Sequence, residues 1–139
     1  MMIISIIVFL AVVLVSVMGA IVYFVDLASV AIVVLPALAL VLAALGGGAY
    51  GRGLKWALTH PGGQPAGGGA ATRSLDLMGS ISFWLGLLGL VIGMVLVLQN
   101  FTDPSQIGPG LAISILSLLY GSVLKLLHMV FVAKLGGAS

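Results

Sequence analysis

Four runs of apolar residues follow one another along the chain, each long, unbroken and free of period-two alternation. Met1 to Val25 carries no charged side chain, Asp26 interrupts, and Leu27 to Leu45 is uncharged again. A helix rises about 1.5 Å per residue, so ~20 residues cross a hydrocarbon core. A single helix through both runs is about twice too long, so the chain folds back near Asp26. The Asp26 carboxylate can cap the second helix at the positive end of its dipole. Lipid admits only backbones whose polar groups pair internally, and the lack of alternation sets these runs apart from barrel strands. The pattern therefore predicts an all-α integral membrane protein in one transmembrane domain. Its helices are expected over residues 2–25, 27–48, 75–99 and 107–134.

Between the second and third runs, residues 49–74 are rich in Gly and Pro and read as a loop. Within them Leu54 to Leu58, with Trp56, either continue the second helix or lie at the headgroup level. Pro36 is expected to kink the second helix. A signal peptide is the competing reading of the N-terminus, but a basic leader is missing and the apolar run is too long for one.

Composition removes whole classes of function. The chain is 62% hydrophobic and 6% charged, whereas a soluble domain carries roughly a quarter charged residues. It has no cysteine, so thiolate chemistry and disulfides are excluded. Three acids and two histidines are scattered, which leaves no carboxylate pair and no metal cluster. No phosphate-cradling loop appears. The expectation is a protein that is not an enzyme, holds no metal or cofactor and binds no nucleic acid.

The few charges are asymmetric. Arg52, Lys55 and Arg73 fall between the second and third runs, and Lys125 and Lys134 lie toward the C-terminal end. Asp26 and Asp103 mark the opposite turns. The positive-inside rule puts the 49–74 segment and both termini in the cytoplasm.

Small residues form stripes on the last two helices. Gly79, Ser82, Gly86, Gly89 and Gly93 share one face of the third. Gly110, Ser114, Ser117 and Gly121 repeat the pattern on the fourth, and Lys125 and His128 extend it. Lipid supplies no hydrophobic drive between helices, so close approach over small residues is the main source of contact and the stripes should mark helix packing. Read more sharply, the second stripe is a polar pathway ending at Lys125 and His128. Lys125 can instead snorkel to the headgroups, and Ser117 can satisfy itself on the carbonyl four residues back.

The connection between these helices carries Asp103-Pro104-Ser105 and Ile107-Gly108-Pro109-Gly110, and the helix after it carries Leu119-Tyr120-Gly121. Together with Gly86-Leu87-Leu88-Gly89 and Gly93, and with the Phe24 to Val34 stretch "FVDLASVAIVV", these residues resemble the stator-type membrane subunits of the MotA/TolQ/ExbB family. The resemblance covers all four runs in order. It implies a homo-oligomeric ring, pentameric in the family, around single-span partner helices whose Asp couples to a proton or sodium gradient. It also implies that the third and fourth helices line the central passage, and that the residue 100–110 loop caps the outer end of this hairpin. There Pro104 and Pro109 preset φ, and Gly108 and Gly110 permit close approach.

Departures from the family pattern shape the functional expectation. The hydroxyl-bearing positions of the passage fall on Leu90 and Leu118, with Ser117 as the remaining hydroxyl, and family prolines fall on Phe83 and near Phe131. The family's large cytoplasmic domain is replaced by residues 49–74. The expected role is therefore a ring in the bacterial-type inner membrane that scaffolds a partner helix or lipid, lined by Phe83, Leu90, Ser117 and Leu118 and closed to ions. Two alternatives stand beside it: an ion-coupled channel subunit with an Asp-bearing single-span partner, and a small accessory subunit of a larger membrane complex.

Overall fold

The computed structural model describes residues 2–16, 18, 26–60, 63 and 68–136. All regular structure among them is helical: α1 (Met2–Ser16), α2 (Leu27–Leu45), α3 (Gly47–Thr59), α4 (Gly68–Gln99) and α5 (Pro104–Lys134). Two helices, α4 and α5, are long and apolar enough to cross a membrane, and the bent pair α2 and α3 brings the number to three if it forms one span. The first expected helix, 2–25, is described only as far as Ser16. Residues 17 and 19–25 lie outside the described set, as does most of 61–67.

Helix ends differ from the sequence reading in ways that packing and capping explain. The second helix stops at Leu45 rather than at residue 48, because Gly46 adopts a φ of +74° and turns the chain by 111°. A side chain at that φ is strained, so glycine suits the turn. The expected 49–74 loop is helical at both ends, over Gly47–Thr59 and again from Gly68. Its glycines have poor helix propensity, but they let α3 approach its neighbours: a Cβ on Gly53 would lie 3.0 Å from the Ala71 carbonyl oxygen. Ala57 then joins Leu75, Phe131 and Leu135 in a buried cluster.

The residue 100–110 loop is also shorter than its sequence suggests, for α5 starts at Pro104 and not at 107. Asp103 is its N-cap, accepting from the Ser105 N–H at 3.0 Å and the Ser105 hydroxyl at 2.7 Å, with Pro104 in the first turn. At the other side of the turn, Asn100 donates from Nδ2 to the Leu96 carbonyl at 2.9 Å. Gly110 does permit close approach, since its Cβ would lie 2.7 Å from Val97 Cγ2, but Gly108 meets nothing within 4 Å. Asp103→Ala should cost about 1 kcal/mol, the usual loss for a cap. A lower thermal midpoint of the detergent-solubilised protein checks this, and an unchanged midpoint would assign these polar residues another role.

α4 and α5 form the central antiparallel hairpin. α2 packs along one side of it, with Ala37 and Val41 buried against Met78. Asp26 caps α2 through Oδ2, which accepts the Ser29 N–H at 2.8 Å, and the Asp26 N–H donates to the Tyr120 hydroxyl at 3.2 Å.

Candidate functional site

The hairpin seam is built from the two stripes of small residues, which face each other. A Cβ on Gly86 would lie 2.7 Å from the Ser117 carbonyl oxygen and 3.0 Å from Gly121 Cα. On Gly89 it would meet Ser117 Oγ at 2.7 Å, on Gly79 His128 Cβ at 2.8 Å, and on Gly93 the Ser114 hydroxyl. Gly121 in turn lies against Ser82 and Gly86. Backbones this close gain dispersion contact that larger side chains would forbid. The buried serines satisfy themselves within their own helices: Ser82 donates to the Met78 carbonyl at 2.7 Å and Ser114 to the Gly110 carbonyl at 2.9 Å.

Ser117 departs from that rule. It is fully buried in the seam, and its hydroxyl has no hydrogen-bond partner among the described residues. The bond back to the carbonyl of Ile113 expected from its helical position is not made, and that carbonyl accepts from the Ser29 hydroxyl at 3.4 Å instead. An unpaired buried hydroxyl costs about 1–3 kcal/mol.

The hairpin has two flanks. One is covered by α2, whose Ile32 would meet a Cβ on Gly89 at 3.4 Å. The other is identified by an ion pair: Lys125 Nζ lies 3.4 Å from Asp76 Oδ1 and donates to the Ser80 hydroxyl at 2.8 Å. Along α4, Asp76, Phe83 and Leu90 recur every seven residues; along α5, Lys125, Leu118 and Leu111 do the same toward the outer end. A seven-residue step returns to nearly the same side of a helix, drifting by about 20°. The ion pair thus ties both stripes to one flank, polar at the Lys125 end and apolar above it. Phe83, Leu90 and Leu118 are all partly exposed there.

By helical phase Phe83, Leu90 and Leu118 share this partly exposed flank, whereas Ser117 is buried in the seam. Ser117 belongs to the interior of the subunit, facing glycine rather than any open surface. Asp76 was not singled out by the sequence reading, although its seven-residue spacing from Phe83 and Leu90 was a usable signal. The ion pair is exposed enough, with Lys125 at 28% and Asp76 at 59%, that it sets geometry more than stability.

His128 is buried at the base of the seam. Its Nδ1 lies 2.8 Å from the Leu124 carbonyl and donates to it; Nε2 of the neutral ring accepts from the Tyr50 hydroxyl at 3.2 Å. It is thus held in the packing between α3 and α5 rather than placed on the free flank. Nothing in the sequence pairs Tyr50 with a residue so distant. Among the described residues no group of three or more His, Asp or Glu could hold a metal ion.

Residues 69–139, about half the chain, match the family model described as the MotA/TolQ/ExbB proton channel family. That segment contains α4 and α5 almost entirely. The chain is similar to the uncharacterized protein YtxD of Bacillus subtilis (strain 168), 48% identical over 59 residues that cover 42% of this chain and 21% of the relative. It is also similar to the chemotaxis protein PomA of Vibrio alginolyticus, 40% identical over 53 residues, covering 38% and 20% of the two chains. Motility protein A of Aquifex aeolicus (strain VF5) is 44% identical over 39 residues, covering 28% and 15%. The chain thus spans about a fifth or less of the length of these curated relatives. No solved structure matches it significantly.

Proposed function

From the premise that the chain belongs to the MotA/TolQ/ExbB proton channel family, we propose that it is a ring-forming subunit of a bacterial cytoplasmic membrane. In this reading each subunit contributes four spans, the first begun by α1 and the second formed by α2, with both termini in the cytoplasm. Five copies enclose a passage walled by the α4–α5 hairpins. The passage holds a partner transmembrane helix, or lipid, and by itself is closed to ions.

The observation that carries this reading is the free flank. Its middle offers Phe83, Leu90, Leu118 and Leu111, and its charges gather at the Lys125 end. Rings of such side chains repel water, and a proton needs water or a chain of donors and acceptors to cross. An apolar wall suits a helix or an acyl chain. The hydroxyls of Ser114 and Ser117 are enclosed in the seam. Support for assembly comes from the surface left over: only 28% of the apolar window of α4, and the same share of α5, is buried within the subunit. Trp84, Leu98 and Ile115 are each more than 60% exposed, which leaves ample surface for neighbouring copies and lipid.

A second reading, an ion-coupled channel subunit, draws on the family's description as proton channels. It requires a partner helix that brings a carboxylate to the level of Leu90 and Leu118.

The mass of the detergent-extracted complex tests assembly. Five copies of the 14.1 kDa chain are expected, with or without a partner. A monomer, or one copy bound to a large complex, would replace the ring with an accessory-subunit role.

A further inference from the structure

The ring reading gives no task to α3, and the geometry of this short helix supplies one. The chain turns by 111° between α2 and α3, a little past a right angle. With α2 crossing the membrane, α3 lies close to the membrane plane. Its contacts fix its level. Ala49, Gly53 and Ala57 form its buried edge, and that edge packs on Ala71 and Leu75 near the start of α4 and on Phe131 and Leu135 at the end of α5. Arg73, Asp76 and Lys134 occupy the same level, where the apolar part of the hairpin ends.

Two bonds to α5 hold α3 in place. Tyr50 donates to His128 as described, and Lys134 Nζ donates to the carbonyl of Ala57 in the last turn of α3. A cation at that position also complements the helix dipole. Trp56 is partly buried, stacks on His60 and donates its indole N–H to the Gly63 carbonyl at 3.1 Å. An apolar ring with one polar edge is suited to the headgroup level.

Outside its buried edge, α3 has two flanks of opposite character. Tyr50, Leu54 and Leu58 form an apolar flank, on which Tyr50 and Leu54 pack against the protein core and Leu58 is 50% exposed. Arg52 and Lys55 lie on the other, both exposed. α3 contains no acid, and Asp76 on α4 is already paired with Lys125. The geometry points to α3 as an in-plane helix whose Arg52 and Lys55 bind the phosphate of an anionic lipid headgroup, while the exposed Leu58 seats against the acyl chains. Amphipathic helices bind membranes through this combination of apolar burial and basic charge. Each basic residue near an anionic surface favours it by roughly fivefold. The assignment does not depend on how many copies form the ring or whether ions pass.

Spin labels test the proposal, because the chain has no cysteine of its own. Gly51 and Leu58 are seven residues apart on one side of α3, and a Cβ on Gly51 meets nothing within 4 Å. Gly51→Cys and Leu58→Cys are labelled singly in the full chain, reconstituted in vesicles of phosphatidylcholine with phosphatidylglycerol. An in-plane helix puts both labels at depths that agree to within roughly 4 Å, whereas an upright one separates them by roughly 10 Å. In the same vesicles, the preference of the unlabelled chain for spin-labelled phosphatidylglycerol over phosphatidylcholine should fall severalfold in Arg52→Gln/Lys55→Gln. Depths that differ by roughly 10 Å would overturn the in-plane geometry. Equal depths with an unchanged lipid preference would overturn the headgroup assignment.

Discussion

Gly86→Leu is expected to abolish accumulation of the assembled protein. The added Cβ would lie 2.7 Å from the Ser117 carbonyl oxygen and 3.0 Å from Gly121 Cα, both parts of the facing backbone. No rotamer change relieves such a contact, so α4 and α5 would have to separate along the seam. Overpacking a core costs about 1–3 kcal/mol and occasionally more, and here the upper end applies because both sides are backbone. The loss does not stop at one contact. Gly79, Gly89, Gly93 and Gly110 make similarly close approaches, so moving the helices apart at Gly86 weakens the seam along its length. Gly89→Leu acts in the same direction. Leu96→Ala, at a side chain 40% exposed, should change stability by no more than about 0.5 kcal/mol. Membrane accumulation and gel filtration of the extracted complex separate the two outcomes. An intact complex with Gly86→Leu would mean that the seam opens without cost, and the packing account would fall with it.

What the sequence made legible was whatever follows from local periodicity. The hydrophobic runs located the helices α2, α4 and α5, and the small-residue stripes marked the two faces that meet in the seam. Spacing alone put Ser117 on that face, but it could not tell a seam from a passage, since both are reached by the same helical phase. Only the partner helix decides, and it places Gly89 opposite the Ser117 hydroxyl. The apolar run puts the start of the last helix at residue 107, but with Asp103 as cap and Pro104 in the first turn α5 begins three residues earlier.

α3 was the least legible element, for a physical reason. Gly47, Gly48, Gly51 and Gly53 each cost helix propensity, and the compensation comes from contacts with Ala71, Leu75, Phe131 and Leu135, far along the chain. A propensity reading sees the cost and not the compensation. The match of residues 69–139 to a proton channel family likewise fixes the kind of subunit, while the side chains on the free flank carry the argument about what passes.

The free flank presents Leu90 and Leu118 at mid-span, and Leu111 and Phe83 extend the apolar wall to either side. Water withdraws from a narrow constriction of such side chains, which interrupts proton transfer. At the other end of the flank, Lys125 adds a positive charge, partly balanced by Asp76 at 3.4 Å. The Ser117 hydroxyl is enclosed within the seam, where it cannot bridge the gap. Leu90→Thr together with Leu118→Thr would restore hydroxyls to the flank, and proton movement should then appear only beside a partner helix that supplies a carboxylate. The direct measurement is proton flux across liposomes that contain the purified wild-type chain, with a potassium-valinomycin potential imposed and an internal pH dye as readout. No flux above that of protein-free liposomes is expected, and a clear proton current from the chain alone would contradict a passage closed by its leucines.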